Sequence, residues 1–241
     1  MSAPQPAPGV RTWGEWPLVG RESDLREFAH LVIHRGGSLA LIGDAGVGKS
    51  RLVSELCVRC RRAGLCTLLI SGAGGDHDPA GHFGVHSESL SSVAVRLLGE
   101  AHPRRLALFV DDAHLLDDTM AALVHLLAAT TPTSVVITLP TGAFAPPPLA
   151  ELMADQILVR HDVSGLDAHH IGEILATVLA GPVEPGLLVE FLGQSAGNPQ
   201  RLRHVIARAR AHGSVQLDAG LWRFCGLTER LAKVAESDSV S

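Results

Sequence analysis

Residues 38–54 read SLALIGDAGVGKSRLVS, a short apolar strand (Ser38 to Ile42), a glycine-bounded loop and the start of an amphipathic helix at Lys49. The loop fits glycine, four residues, glycine, lysine, serine through Gly43, Gly48, Lys49 and Ser50. Glycines let the backbone take turns closed to a Cβ and approach a ligand closely. The N–H groups of Gly46, Val47, Gly48 and Lys49 are then expected to converge on anionic oxygens at the positive end of the helix. Lys49 would add a compact cation, and the Ser50 hydroxyl a ligand for Mg²⁺. Those residue types in that order point to a site for the phosphates of a nucleotide.

The surrounding chain is long enough to support such a site. Its 241 residues hold one large domain, or one domain and a small second one. A chain of this length buries about 70% of its unfolded surface, so it needs neither disulfides nor a structural metal. The composition is ordinary for a globular protein, although Tyr is absent. The formal net charge of −5 argues against direct nucleic-acid binding by this chain. Cys57 and Cys60 form a C-x-x-C on the helix after the loop, but no second pair stands at zinc spacing. The four cysteines are therefore expected to be buried reduced thiols. No signal-peptide pattern opens the chain and no run of 18 apolar residues occurs, so the expectation is a cytoplasmic protein with no membrane partner.

Outward from the loop, strands and helices alternate. Residues 1–17 read as a mobile Pro-rich leader. Leu25, Phe28, Ala29, Val32 and Ile33 recur at helical spacing before Gly36-Gly37. Further strands are expected at Cys66 to Ile70, Leu106 to Val110, Ser134 to Leu139 and Gln156 to Val159. Helices are expected from about Glu88 to Leu98, Thr119 to Ala129 and Leu149 to Met153. The predicted fold is α/β, a parallel sheet with helices on both faces across residues 18–163. Residues 164–213 then read as a small helical subdomain, with helices at Asp167 to Leu179, Leu187 to Gln194 and Pro199 to Ala211. Residues 214–241 supply a hairpin (Val215 to Leu217, Leu221 to Phe224) and the start of a helix from Thr228 to Ala235.

A second motif lies about 60 residues past the loop: Leu108-Phe-Val-Asp-Asp-Ala-His114. An apolar strand ending in an acid, at this interval, reads as a Walker-B strand with its tip beside the phosphate loop. Asp111 would hold the Mg²⁺ shell and Asp112 would polarise an attacking water as general base. Guanine-reading proteins commonly carry an N-K-x-D element. Asn198, the sole Asn, is followed by Pro199-Gln200, so adenine is favoured.

Taken in order, Leu18-Val-Gly-Arg21, Gly43 to Ser50, Leu108 to Asp117, Gly197-Asn-Pro199 and Gly220-Leu-Trp-Arg223 resemble a STAND-type ATPase module of the AAA+ superclass. The set is most similar to the ATPase part of the large ATP-binding regulators of the LuxR type, over about residues 17 to 235. The resemblance implies a P-loop NTPase core followed by a helical lid. It also implies ATP or ADP with Mg²⁺ as cofactors, and a nucleotide pocket of Gly43, Ala45, Gly46, Val47, Gly48, Lys49, Ser50 and Arg51. Ser50 and Asp111 would be the metal ligands, and Lys49 and Asp112 the catalytic residues. Val19 and Gly20 would lie against the adenine, although Arg21 and Glu22 also read simply as a helix start. Pro199 would approach the base, and Asn198 and Pro199 also read as an N-cap and first helical turn; both readings can hold.

Relatives often carry an Arg after the fourth strand, where this chain has Val136-Ile-Thr-Leu-Pro140. Thr138 offers a hydroxyl there without a guanidinium fork, so hydrolysis is expected to be slow or to depend on a partner. His77, His82 and His86 read as solvated residues, with metal ligation the lesser alternative. Arg201, Arg203, Arg208 and Arg210 read as the polar face of one helix. The expected function is an ATP-dependent regulatory switch, with nucleotide, further regulator domains or a protein partner, and nucleotide-dependent self-association. A small-molecule kinase with its lid at Gly72 to Gly84, and a module that binds nucleotide without turnover, are the alternatives.

Overall fold

Every apolar run expected between residues 38 and 162 becomes a strand of one parallel sheet in the computed structural model, which describes residues 16–72 and 89–224. The leader up to residue 15, the loop from residue 73 with His77, His82 and His86, Cys225 and the helix expected at 228–235 lie outside these residues. The described chain forms two units, residues 21–164 and residues 16–20 with 165–224. Leu18, Val19 and Gly20 thus group with the helices rather than with the sheet.

In the first unit, α1 (Glu22–Ala29) runs into a π-helical turn (His30–His34), followed by β1 (Ser38–Gly43) and α2 (Lys49–Arg62). Then come β2 (Cys66–Ser71), α3 (Leu90–Ala101), β3 (Leu106–Asp111), a 3₁₀ turn (Ala113–Leu115) and α4 (Asp118–Thr130). The unit closes with β4 (Ser134–Pro140), α5 (Pro147–Ala154) and β5 (Leu158–Asp162). The sheet order is β2-β3-β4-β1-β5. Inner strands β1, β3 and β4 are buried almost throughout, as strands covered on both faces must be, whereas edge strands β2 and β5 each bury a single residue. Ala40, Leu108, Val110 and Ile137 pack with α3, α4 and α5. The helix α2 lies on β1, β3 and β4 and buries Leu52, Val53, Leu56, Cys57 and Cys60.

The strand β4 pairs with both β1 and β3, so one strand lies between the Asp111 tip and the end of β1. Two expectations change. The last strand begins at Leu158 rather than Gln156, because residues 155–157 complete the end of α5: their N–H groups donate to Glu151, Met153 and Leu152 carbonyls, with Gln156 at φ 59°. Cys57 and Cys60 are buried thiols as expected, but Cys66 is only half-buried, because it starts an edge strand. Burial pushes the Cys60 thiol up to about 12, with Cys57 adding to the shift.

The second unit packs α6 (Ala168–Leu179), α7 (Pro185–Ser195) and α8 (Pro199–Ala211) around Ile171, Leu175, Phe191, Leu202 and Ile206. The hairpin of β6 (Val215–Asp218) and β7 (Leu221–Phe224) joins this unit through Trp222, which exchanges backbone bonds with Pro182 and Glu184. Trp16 and Val19 pack against the same core, and the Arg203 guanidinium stands 5.9 Å from the Trp16 ring centroid. Arg203 therefore does more than solvate its helix.

Candidate nucleotide site

The carboxyl edge of the first unit is built around the chain leaving β1. Gly43 ends the strand in a place no other residue fits: a Cβ there would stand 2.6 Å from the Val163 carbonyl oxygen. The loop then turns through Gly46 (φ 78°) and Gly48 (φ 110°), conformations that favour glycine. At Gly48 a Cβ would meet nothing within 4 Å, so backbone conformation rather than space asks for glycine. Gly48 is also the N-cap of α2, and a residue without a side chain cannot close that helix end. The first-turn N–H groups of a helix have no intrahelical partner, so this 14-residue helix presents open donors and the positive end of its dipole to the loop.

Lys49 is 93% buried, and its Nζ donates to the Gly43 carbonyl at 2.7 Å and the Asp44 carbonyl at 3.0 Å. Desolvation holds its pKa below the ordinary lysine value, while the carboxylates of Asp112, Asp111 and Asp44 pull it back up. A compact cation held on two neutral carbonyls, with acids close by, is poised to exchange those carbonyls for anionic oxygens. Val47 differs from the expectation made for it: its N–H closes a turn on the Asp44 carbonyl at 3.2 Å. Ser50 and Arg51 lie exposed on the first turn of α2.

The intervening strand β4 supplies what the sequence left undecided. Thr138 is fully buried; its hydroxyl donates to Asp111 Oδ1 at 2.6 Å and accepts from the Asp112 N–H at 2.8 Å. One hydroxyl therefore orients the first acid and fixes the backbone of the second. Asp112 sits in the left-handed region (φ 52°, ψ 50°), a conformation that costs a non-glycine residue energy and occurs at functional sites. Gly72 permits this turn, since a Cβ there would stand 2.2 Å from the Asp112 carbonyl oxygen. Among the described residues no three His, Cys, Asp or Glu cluster as a metal site. Mg²⁺ takes one or two protein ligands and completes its shell with water and substrate phosphates. The Ser50 hydroxyl and Asp111 Oδ2, the carboxylate oxygen that Thr138 does not use, have the donor chemistry such an ion takes.

Sequence reasoning missed Arg21. It is 6% exposed, and its guanidinium donates to the carbonyls of Val47 and Ser164 beside Asp24. Its place in Val-Gly-Arg was the available signal, but the reading assigned function there to the backbone alone.

In the second unit, Gly20 has φ 71°, and a Cβ there would stand 2.6 Å from the His170 ring. Asn198 caps α8, its Oδ1 accepting from Gln200 and Arg201 N–H at 3.0 and 3.1 Å, and Pro199 occupies the first turn.

No family model matches the sequence, and no curated protein matches it. Solved structures do. The RuvB Holliday junction branch migration motor of Thermotoga maritima aligns over 80% of this chain and 62% of its own, at 17% identity and TM-score 0.54. The Aeropyrum pernix ORC1 protein, solved in complex with DNA, aligns over 83% and 63% at 16% identity and TM-score 0.56. Domain III of the Thermotoga maritima replication initiation protein DnaA aligns over 90% and 92% at 14% identity and TM-score 0.50. The fold is that of the P-loop NTPases. These structural neighbours are AAA+ ATPases, and likeness at such identities concerns the fold. The chain spans about three fifths of the RuvB and ORC1 structures.

Proposed function

We propose that this chain is an ATP-binding regulatory switch of the STAND type, with hydrolysis slow or dependent on a partner. The observation that carries the reading is the uncapped start of α2 after Gly48, with the buried Lys49 amine held only on loop carbonyls beside two strand-end acids. Open backbone donors, a positive helix end and a desolvated ammonium together suit a polyphosphate. Gly43, Ala45, Gly46, Gly48, Lys49, Ser50 and Arg51 would line the phosphate site, while Val47 would contribute once its turn on Asp44 opens. Val19, Gly20 and Pro199 would contact the adenine.

In turnover, Lys49 leaves the Gly43 and Asp44 carbonyls for the terminal phosphates. Asp112, aimed by its left-handed backbone and the Thr138 hydroxyl, takes a proton from the attacking water. Ser50 and Asp111 would hold Mg²⁺, which when bound would supply positive charge to the phosphate oxygens. The hydroxyl of Thr138 is already spent on the two acids, which supports slow hydrolysis without a further cation supplied from elsewhere. We place the protein in the cytoplasm, away from membranes, with further regulator domains or a protein partner and nucleotide-dependent self-association, and without direct DNA contact. Among the described residues no helix is long and apolar enough to cross a membrane.

Calorimetric titration of the full chain with Mg-ATP, Mg-ADP and Mg-GTP tests the reading. The expected result is adenine-nucleotide binding that Lys49→Ala weakens about a hundredfold, the scale of losing charge-assisted hydrogen bonds. Unchanged titrations in that variant would remove the site. Phosphate release that Asp112→Asn abolishes while binding persists separates a switch with turnover from a module that only binds.

A further inference from the structure

Arg21 is the first residue of the sheet unit and Ser164 the last, so one guanidinium sits where the chain enters and where it leaves. Its Nη2 donates to the carbonyls of Ser164 and, at 3.3 Å, Val47, while Nη1 stands 3.5 Å from Asp24 Oδ2. The bond to Val47 has a consequence fixed by covalent geometry. In a planar trans peptide the C=O and the following N–H point in opposite directions. Drawing the Val47 carbonyl toward Arg21 therefore turns the Gly48 N–H away from Arg21. A second contact ties the same segments: the Val163 N–H donates to the Ile42 carbonyl at 2.6 Å, and the Val163 carbonyl fills the space a Cβ on Gly43 would need.

We propose that Arg21 is a positioning residue for the nucleotide site. It fixes the peptide between Val47 and Gly48 so that its N–H faces phosphate, and it links the state of the loop to residues 162–164, where the chain leaves the sheet. This rests on the nucleotide reading above. A ligand that moves the Val47 carbonyl changes the bonding of a buried guanidinium whose other carbonyl partner is Ser164. The signal reaches the exit strand through two hydrogen bonds.

The test compares wild-type full-length chain with Arg21→Lys, which keeps the charge but loses the planar fork that serves two carbonyls at once. ATP affinity is measured by calorimetry, amide hydrogen exchange of residues 162–166 with and without Mg-ATP, and the melting temperature without nucleotide. Wild type is expected to slow its exchange at 162–166 when ATP is added. Arg21→Lys is expected to lose roughly tenfold in affinity together with that ATP-dependent protection, at a melting temperature close to wild type. Exchange at 162–166 in wild type that ignores ATP would overturn the proposal even if the variant fails to fold. So would an Arg21→Lys variant that binds and protects as wild type does, or one that only melts earlier. If Lys49→Ala binds ATP normally, the nucleotide reading itself has failed. If Lys49→Ala loses ATP while Arg21→Lys behaves as wild type, only the positioning role has.

Discussion

The helix α2 starts directly after Gly48 and α8 one residue after Gly197, both glycines with positive φ, and the two treat their free N–H groups in opposite ways. The helix α8 follows Gly197 and is closed by its own sequence: Asn198 accepts from Gln200 and Arg201, and Pro199 has no N–H to satisfy. The helix α2 follows Gly46-Val-Gly48 and is left open, because its N-cap has no side chain. Both starts are legal solutions to the same shortage of partners. The first spends a side chain to make a stable helix; the second leaves the shortage for a ligand to fill. The same contrast runs through the acids and hydroxyls. Asp167 caps its own helix, whereas Thr138 serves two acids at the end of another strand.

Closing the open start should have the largest effect. A Gly48→Asp chain meets no steric obstacle, and the strained φ costs it about 1 kcal/mol. Its carboxylate would cap α2 and, ~4 Å from a phosphate, repel it by several kcal/mol. ATP binding by calorimetry should fall by at least about a hundredfold while the helical signal in circular dichroism is kept; retained binding would show that the open end is not the phosphate site.

Taking away the shared hydroxyl comes next. Thr138→Val keeps the shape of the side chain but leaves the Asp112 N–H and Asp111 Oδ1 without it. A loss of about 1–3 kcal/mol in urea unfolding is expected, together with a weaker Mg²⁺ dependence of ATP binding. Unfolding at wild-type urea concentration would show that Thr138 does not carry this edge.

At the closed start, Asn198→Ala should cost about 1 kcal/mol of stability, the usual value of a cap. Asp167 gives the smallest effect and a pH signature. The His170 backbone N–H holds its carboxyl below the usual range, with the His170 ring and His169 contributing. The folded pKa lies below the unfolded one, so this contribution is complete above about pH 4 and fades as pH falls through the folded value. Asp167→Asn keeps a capping oxygen but does not titrate. Its stability, followed by circular dichroism from acid to neutral pH, should therefore lose less than wild type on acidification. Parallel acid profiles would show that the carboxylate charge is not used there.

Much of the site was legible because its parts are local. Glycine, lysine and serine at fixed spacing after an apolar run specify a loop and a helix start from residues within eight positions of one another. Asn198-Pro199 reads as a helix start on the same grounds, and the structure has it so. The start of β5 was less legible, since the turn that finishes α5 takes in Ile157, an apolar residue that runs directly into Leu158-Val159. The place of β4 was not legible at all. The runs Leu106 to Val110 and Ser134 to Leu139 read alike, and periodicity says that each is buried without saying which lies beside β1.

The sequence by itself therefore determined the elements, the loop and the residue types that can hold phosphate, because backbone propensity, capping and burial period act over a few residues. Tertiary structure alone decided the strand order that brings Thr138 to Asp111. It also decided the steric demand that Val163 makes on Gly43, and the burial of Arg21 against Ser164, 143 residues away. Those outcomes depend on which surfaces meet when the chain closes, and a one-dimensional pattern records that a side chain is buried but not what it is buried against.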